Sequence, residues 1–196
     1  SESEKFTIQS ERALDALLSR YPHIAAIPGS HKKIRKNLRS MPDELVCADD
    51  EVLCLVDSGS TINAAWIEKH FPSYAKLVQK TPASMRGDTA TTAGGQKLVN
   101  KGRCSVHGMV DNHEFPIAFK DMETELPILS VRKMVKRNNE VKFKKDGGFI
   151  RNRDTGRLLK FHEHEGVYFL KLKVLDPSSI NMFSDGNEQV FGRQGS

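Results

Sequence analysis

The fold is decided by the stretch Val52-Leu53-Cys54-Leu55-Val56-Asp57-Ser58-Gly59-Ser60-Thr61. Its first five residues form a continuous apolar run, which predicts a short strand buried on both faces. Turn-forming residues then end the run, beginning with Asp57. A charge at the end of a buried strand is costly to desolvate unless a specific environment compensates it. We therefore expect an organised site around Asp57, although Asp-Ser-Gly by itself is a common turn.

The residues before this stretch predict a helix and a linker. From Phe6 to Arg20, apolar residues recur at helical spacing, and Tyr21-Pro22 ends the run. The sequence from Ile27 to Asp43 is typical of a linker. We assign residues 1–44 to an N-terminal amphipathic helix with its linker.

Two hairpins are predicted after Thr61. Gly94-Gly95 lies in the polar stretch from Thr89 to Gln96, which predicts a hairpin with the glycines at its tip. Apolar residues alternate again from Cys104 to Phe119, with a turn at Asp111-Asn112-His113. This second pattern predicts two paired strands.

The rest of the chain predicts one short helix and a β meander. Leu126 to Leu129 predicts a brief strand, and a short basic helix follows it and ends at Asn138-Asn139. Turn signals at 146–148 and 154–156 separate further strands, of which Val167 to Val174 has the clearest pattern. We therefore expect a mainly β fold with a core over residues 45–137, a β-rich C-terminal extension over 138–176 and a flexible tail over 177–196.

Composition favours an ordinary globular chain. The 196 residues suit one compact domain, with 30 Lys and Arg against 25 Asp and Glu and a net charge of +5. The two signs are interspersed, with short basic clusters at Lys32 to Lys36 and Lys133 to Arg137. This is not a nucleic-acid footprint on its own, and we expect no nucleic-acid partner.

Targeting signals and cysteine usage indicate an intracellular protein. No apolar run approaches the length of a membrane span, and Ser1-Glu2-Ser3-Glu4 is too acidic for a secretory signal. We expect a soluble, cytoplasmic chain with no membrane partner. Cys47, Cys54 and Cys104 form an odd set without metal spacing, which favours reduced, buried thiols.

The chain predicts neither a metal site nor a cofactor. His162 and His164 would share one face of a strand, but no third ligand is evident nearby. A solvated turn is the better explanation of this pair.

The order of elements around Asp57 resembles the retropepsin family of aspartic proteases. It consists of an apolar strand, Asp57-Ser58-Gly59-Ser60-Thr61, an apolar segment, a glycine-containing hairpin, an alternating hairpin, Ile128-Leu129 and a short helix. In that family the Asp-Ser/Thr-Gly loop carries the catalytic aspartate, and the glycine-containing hairpin is a flap that closes over substrate. The resemblance covers about residues 45–137. It implies a retropepsin-like acid-protease fold with a short helix after the last core strand.

The string Ile128-Leu129-Ser130-Val131 departs from the glycine that usually follows the hydrophobic pair. It is similar to the proteases of copia-type retrotransposon polyproteins, in which an extension follows. Val141-Lys142-Phe143, Asp154-Thr155-Gly156 and the segment from Gly166 to Leu170 are similar to that extension. No His-His-Cys-Cys set follows, so integrase zinc binding is not expected.

The chemistry of the family needs two carboxylates that share one proton, one acting as general base and the other as general acid. Asp88-Thr89-Ala90 and Asp154-Thr155-Gly156 imitate the motif, but neither follows an apolar strand. The simpler solution is a homodimer in which two-fold symmetry places Asp57 opposite the partner subunit's Asp57.

The expected catalytic residues are Asp57, Ser58, Gly59 and Ser60. Ser58 is expected to hydrogen-bond across the dimer interface and Gly59 to present backbone groups to substrate. Ser60 is positioned to donate to a carboxylate oxygen of Asp57, which would favour the ionised form and an acidic activity optimum.

An extended polypeptide substrate is expected to pair with the flap backbone as an added strand. Trp66 is a further candidate for contact with substrate, although a core position is the more ordinary role for tryptophan. The expected substrate-binding residues are Thr91, Thr92, Ala93, Gly94, Gly95, Gln96, Ile62 and Ile128.

From the sequence we expect an aspartic endopeptidase that cleaves a retroelement polyprotein, namely the polyprotein of which it is itself a part. Two alternatives stay open: a catalytically inactive retropepsin-like module that dimerises or binds peptides, and a basic RNA-interaction domain in which Asp-Ser-Gly is only a turn.

Overall fold

The computed structural model describes residues 42–92 and 95–180. The chain divides into two compact units, residues 1–48 and 49–196. In the first unit, a 3-10 helix spans Asp43–Leu45 and Leu45 is buried. The amphipathic helix predicted over 6–20, the basic cluster at 32–36 and most of the predicted tail lie outside the described residues.

The described part of the second unit is mainly β, as the sequence predicts. Its strands are β1 (Glu51–Asp57), β2 (Ala64–Ala65), β3 (Thr89–Thr91), β4 (Lys97–Val99), β5 (Arg103–Val110), β6 (His113–Asp121), β7 (Ile128–Ser130), β8 (Asn139–Lys144), β9 (Gly147–Asn152), β10 (Leu158–His164) and β11 (Val167–Val174). The α-helices are α1 (Ile67–His70), α2 (Pro82–Met85) and α3 (Val131–Lys136), and 3-10 helices span Pro72–Leu77 and Pro177–Ser179.

Nine of these strands form one sheet in the order β1-β7-β2-β6-β5-β11-β10-β9-β8. Because β11 also pairs with β1, the first six strands close into a circuit. The pairs β1–β7 and β2–β6 are parallel, and the other pairs in the sheet are antiparallel. Strands β3 and β4 form a separate two-stranded sheet.

Strand β1 alternates between buried and half-buried positions. Val52, Cys54 and Val56 are buried in the main core, whereas Leu53 and Leu55 are half-buried. The prediction of a strand buried on both faces is therefore wrong for one face. An all-apolar run does not reveal which face a neighbouring element leaves open.

The β5–β6 hairpin forms as predicted. Asp111 and Asn112 connect the strands and have φ values of 48° and 63°. Two successive positive φ values are the geometry of a tight hairpin connection, and Asp and Asn tolerate it better than most residues. The inward side chains of this hairpin, including Val106, Ile117 and Phe119, are buried in the core.

The segment predicted as a C-terminal extension is part of the same sheet as the predicted core. Strand β11 pairs with β1 from Glu51↔Lys173 to Leu55↔Phe169, and with β5 at Lys173↔Met109. The second unit thus has no division at residue 137. Residues 138–174 supply strands that the core uses.

Two of the three cysteines have buried thiols, as the sequence predicts. Cys54 and Cys104 are buried and Cys47 is half-buried. Burial, followed by the nearby Asp121 carboxylate, raises the pKa of Cys104 to about 11. The Cys104 thiol therefore stays protonated at neutral pH.

In the described ranges, no helix is long and apolar enough to cross a membrane.

Candidate functional site

Asp57 is the last residue of β1, where the strand leaves the sheet. Its neighbour in the sheet is β7, which runs parallel, and Asp57 lies opposite Ser130 in the register. The residue is half-buried, although the side chains just before it belong to the core. The carboxylate is thus held at the end of a rigid strand while part of it reaches solvent.

The loop after β1 folds back on the carboxylate. The Gly59 N–H donates a hydrogen bond of 2.8 Å to Asp57 Oδ1. A Cβ on Gly59 would lie 3.3 Å from the same oxygen, which is a tight contact. The Gly59 backbone can approach the carboxylate this closely because glycine has no side chain. One backbone donor therefore fixes the orientation of the carboxylate.

Ser60 does not make the hydrogen bond that we expected. Its hydroxyl donates to the Ile62 carbonyl at 2.7 Å and accepts from the Ile62 N–H at 3.3 Å. A serine has one hydroxyl proton, and here it is used inside the loop. Ser60 therefore shapes the loop in this chain, and the predicted donation to Asp57 is not observed. Ser58 is exposed.

Two buried polar residues anchor this loop to the sheet and to α3. The Ser130 hydroxyl donates to the Ser60 carbonyl at 2.6 Å and accepts from the Lys133 N–H at 3.2 Å, which caps the helix. The Ser130 N–H donates to Asn63 Oδ1 at 2.8 Å. Both side chains are almost fully buried. Ser130 thus connects the Asp57 loop with the first turn of α3.

A pocket of about 440 Å³ opens beside Asp57. Its lining consists of Leu55, Val56, Asp57, Ser58, Phe143, Gly166, Val167 and Tyr168. Asp57 is the one carboxylate among these described residues, and most of the others are apolar. Volumes of this order are typical of sites that enclose a small ligand or a side chain.

One wall of the pocket comes from the C-terminal strands. The Phe143 and Tyr168 rings meet edge to face with their centroids 4.8 Å apart, and the Tyr168 hydroxyl donates to the Lys144 carbonyl at 3.2 Å. Phe143 is 38% exposed and Val167 is 40% exposed, which leaves apolar surface open at the pocket. The aromatic pair is therefore ordered by its own contacts.

The hairpin predicted as a flap forms from β3 and β4. Thr92 closes its end by donating from its N–H to the Gln96 carbonyl at 2.8 Å, and Gly95 has a φ of 83°. Ala93 and Gly94 lie outside the described residues. At the other end, the Asn100 N–H donates to the Asp88 carbonyl at 2.8 Å.

The base of this hairpin packs near the end of the Asp57 loop. Leu98 of β4 is buried with Ala64 and Met122, and Ile62 and Ala90 pack against the same cluster. The predicted hairpin and the predicted loop are therefore joined through one small apolar cluster. Thr91, Thr92, Gly95 and Gln96 are exposed.

The predicted apolar lining residues lie elsewhere. Ile62 belongs to the cluster beneath the hairpin, and Ile128 is half-buried in β7, opposite Leu55 and Ala64. The Trp66 ring has the ammonium groups of Lys69 and Lys101 at 5.4 and 5.5 Å from its centroid. None of the three lines the pocket beside Asp57.

The two imitations of the Asp57 motif lie in exposed turns. Asp88 forms an ion pair of 2.9 Å with Arg86. Asp154 accepts a hydrogen bond of 2.7 Å from the Asn138 side chain. Neither carboxylate lines the pocket beside Asp57. In the described part of the chain, no three His, Cys, Asp or Glu side chains converge as a metal site.

Sequence reasoning missed four residues of this site. Asn63 and Ser130 hold the loop, and Phe143 and Tyr168 form the pocket wall. A serine immediately before a helical pattern is a capping signal, so the role of Ser130 as a helix cap could have been predicted from the sequence. The other three depend on pairings between distant segments, which local patterns do not contain.

Comparison of this chain with protein-family models, with curated proteins and with solved structures finds no match.

Proposed function

We propose that this chain is a retropepsin-like aspartic endopeptidase that works as a homodimer. The observation that carries the proposal is the Asp57 carboxylate, held by the Gly59 N–H at the end of β1 and open to a mostly apolar pocket. The expected elements also follow one another in the expected order, from β1 through the β3–β4 hairpin to β7 and α3.

The proposed reaction needs the partner subunit's Asp57, since one carboxylate cannot act as base and acid in the same step. The ionised carboxylate takes a proton from water, and the water oxygen bonds to the scissile carbonyl carbon. The protonated carboxyl gives its proton to the carbonyl oxygen. Collapse of the tetrahedral intermediate breaks the C–N bond, and the leaving nitrogen takes the proton from the carboxyl that had received it from water. One hydroxyl of the intermediate returns its proton to the other carboxylate, which forms the product carboxylic acid and restores a dyad with one proton.

The pocket supports a peptide substrate with a bulky apolar side chain beside the scissile bond. Leu55, Phe143, Val167 and Tyr168 offer an apolar wall next to the reacting carboxylate. The β3–β4 hairpin offers strand edges with which an extended peptide can pair. A retroelement polyprotein is the substrate that the resemblance implies.

The test is proteolysis of a denatured protein over a range of pH, with and without pepstatin. Wild type is expected to cleave and to sediment as a dimer, and Asp57→Asn is expected to lose cleavage while it keeps its fold. Asp154→Asn is the matched control, because Asp154 begins a similar Asp-Thr-Gly triplet that lies in an exposed turn. Cleavage that survives in Asp57→Asn would exclude the aspartic mechanism.

A folded wild-type protein that binds peptides without cleaving them would indicate the non-catalytic peptide-binding module instead. A monomer that cleaves would exclude the homodimer.

A further inference from the structure

Strand β8 is the last strand of the nine-stranded sheet and has a paired neighbour on one side only. It pairs with β9 along its whole length, from Asn139↔Asn152 to Lys144↔Gly147, and with no other described strand. An edge strand presents backbone N–H and C=O groups that another extended segment can use. The open edge of β8 is therefore a place where a peptide can be added to the sheet.

The register shows which residues of β8 face this open edge. The Arg153 N–H donates to the Asn138 carbonyl at 3.0 Å, one step before the first pair of β8 and β9. Directly opposed residues of an antiparallel pair alternate between exchanging backbone hydrogen bonds and turning those groups away from the partner. The backbone groups of Lys142 therefore point to β9, and those of Val141 and Phe143 point to the open edge.

The side chains of β8 alternate between two faces of the sheet. Val141 packs against the main core, and Phe143 lines the pocket beside Asp57. Lys142 and Lys144 lie on the opposite face and are exposed. The open edge thus combines outward backbone groups with an apolar side chain at the pocket and a lysine on each side of it in sequence.

The side chains at this edge select what can pair with it. Residues directly opposite each other in paired strands share a face, and opposite charges there stabilise the pair. A residue opposite Phe143 would lie on the face of the pocket, where an apolar side chain fits. Residues opposite Lys142 and Lys144 would lie on the other face, where carboxylates fit. We propose that the open edge of β8 binds an extended peptide in which an apolar residue lies between two acidic ones.

A second copy of β8 fits the same edge less well. Pairing centred on Lys142 would bring the two copies of this lysine together, and like charges at opposed positions destabilise a pair. Pairing centred on Val141 would need the edge at Asn139, which is 2% exposed and donates from its side chain to the Met134 carbonyl at 2.8 Å. Helix α3 therefore closes that end of the edge. An acidic strand from another polypeptide suits the edge better.

The open edge of β8 lies beside the candidate catalytic residue, since Phe143 and Asp57 line the same pocket. As a statement about substrate, the inference rests on the proposed function: the protease would hold its substrate at an acidic–apolar–acidic segment. As a binding mode it needs no cleavage, so it can be measured in Asp57→Asn.

The experiment uses the isotope-labelled full chain with Asp57→Asn. Nuclear magnetic resonance follows exchange of backbone amides while the blocked peptide Thr-Thr-Glu-Leu-Glu-Thr-Thr is added. The matched peptide has lysine in place of both glutamates. The test variant adds Lys142→Glu/Lys144→Glu, and the control adds Lys76→Glu/Lys160→Glu, which reverses the same number of charges at exposed lysines outside β8. Thermal melting checks that both variants fold.

The glutamate peptide is expected to slow amide exchange at Val141 and Phe143 by about tenfold or more, because these N–H groups become hydrogen-bonded. The amides of Lys142 and Lys144 should change little, since β9 already pairs with them. The test variant should bind the glutamate peptide at least about tenfold more weakly and should bind the lysine peptide more tightly, whereas the control should keep the preference for glutamate.

Failure of the glutamate peptide to bind, equal binding of the two peptides, or binding that leaves the amides of Val141 and Phe143 unprotected would overturn the inference. Protection of these amides without peptide that grows with protein concentration would also overturn it, since a second copy would then occupy the edge. Binding at the edge of Asp57→Asn, together with a wild type that does not cleave, would exclude the protease and leave the binding edge. Cleavage by wild type without protection of the edge would do the reverse.

Discussion

Ser130 donates its hydroxyl to the Ser60 carbonyl at 2.6 Å and in this way ties the loop that carries Asp57 to the start of α3. The same hydroxyl accepts from the Lys133 N–H, so one buried side chain serves both elements. In the proposed enzyme, the position of Asp57 depends on this connection.

Ser130→Ala is expected to lower both stability and proteolysis. It removes a buried hydrogen bond and a helix cap, a loss of about 1–3 kcal/mol in the free energy of unfolding. Thr81→Ala is the matched control, because Thr81 caps α2 in the same manner without touching the Asp57 loop. Urea unfolding and cleavage rates measure the two effects. Equal activity of the two variants would contradict a role for Ser130 in holding the loop.

Gly59→Ala is expected to lower kcat with little change in stability. The new Cβ would lie 3.3 Å from Asp57 Oδ1, so the carboxylate must shift by a few tenths of an ångström. Gly108→Ala provides the contrast, since its Cβ would collide with the buried Leu172 side chain and should destabilise the core. Kinetics and thermal melting separate the two outcomes. Unchanged kcat in folded Gly59→Ala would show that the carboxylate tolerates the shift.

Phe143→Ala is expected to change substrate preference. Loss of the ring removes one wall of the pocket, so kcat/KM should fall about tenfold for peptides with a bulky apolar residue at the cleavage site. Peptides with a small residue there should be affected less. Val135→Ala, an exposed apolar position on α3, is the control. A uniform loss across peptides would argue against a specificity role for this wall.

A chain ended after residue 137 is expected not to fold, whereas one ended after residue 180 should remain folded. Without β11, strand β1 loses its antiparallel neighbour and the circuit of strands opens. Buried side chains such as Leu170 and Leu172 are also lost from the core. Circular dichroism and urea unfolding give the comparison. A cooperative transition in the shorter chain would show that residues 45–137 are sufficient.

We expect the free energy of unfolding to fall between about pH 10 and 12 because the Tyr74 phenol ionises in this range. Burial is the main cause that raises the pKa of Tyr74 from 10.0 to about 12. Its hydroxyl donates to the Leu175 carbonyl at 2.6 Å and accepts from the His107 N–H at 3.2 Å. The raised pKa means that the neutral phenol stabilises the fold fully below pH 10, and that this contribution is lost as the pH rises to 12.

Tyr74→Phe should be less stable at neutral pH by about 1–2 kcal/mol and should lose less stability through that alkaline window. Urea unfolding at successive pH values measures both quantities. Tyr168→Phe is the control, because its hydroxyl bond is exposed. Identical alkaline profiles for Tyr74→Phe and wild type would contradict the assignment.

Local sequence patterns predicted most of the strands but not their arrangement. The β5–β6 hairpin and the brief strand β7 follow from alternation and turn residues. The pairing of β11 with β1 does not, because strand periodicity shows which face is apolar and contains no information about the partner. Phe143 was therefore predicted as part of an extension, although the fold brings it to the pocket beside Asp57.

Some residues of the candidate site could be predicted from local sequence, and others could not. Asp57 and Gly59 were identified from a motif, and their contact at 2.8 Å is local. The Ser60 hydroxyl has several acceptors within reach, so its choice of the Ile62 carbonyl depends on the backbone conformation of the loop. Asn63 reaches Ser130 across 67 residues of sequence, a distance over which spacing rules give no guidance.

The pairing of β11 with β1 also has a consequence for synthesis on the ribosome. The strand that ends in Asp57 is made before β11, since the partner of Leu55 is Phe169, more than a hundred residues later in the chain. Contacts of such large sequence separation form late, because the intervening chain must first be ordered. The proposed catalytic loop should therefore assemble only after nearly all described strands have been translated. A nascent chain that carries Asp57 but not β11 would lack protease activity.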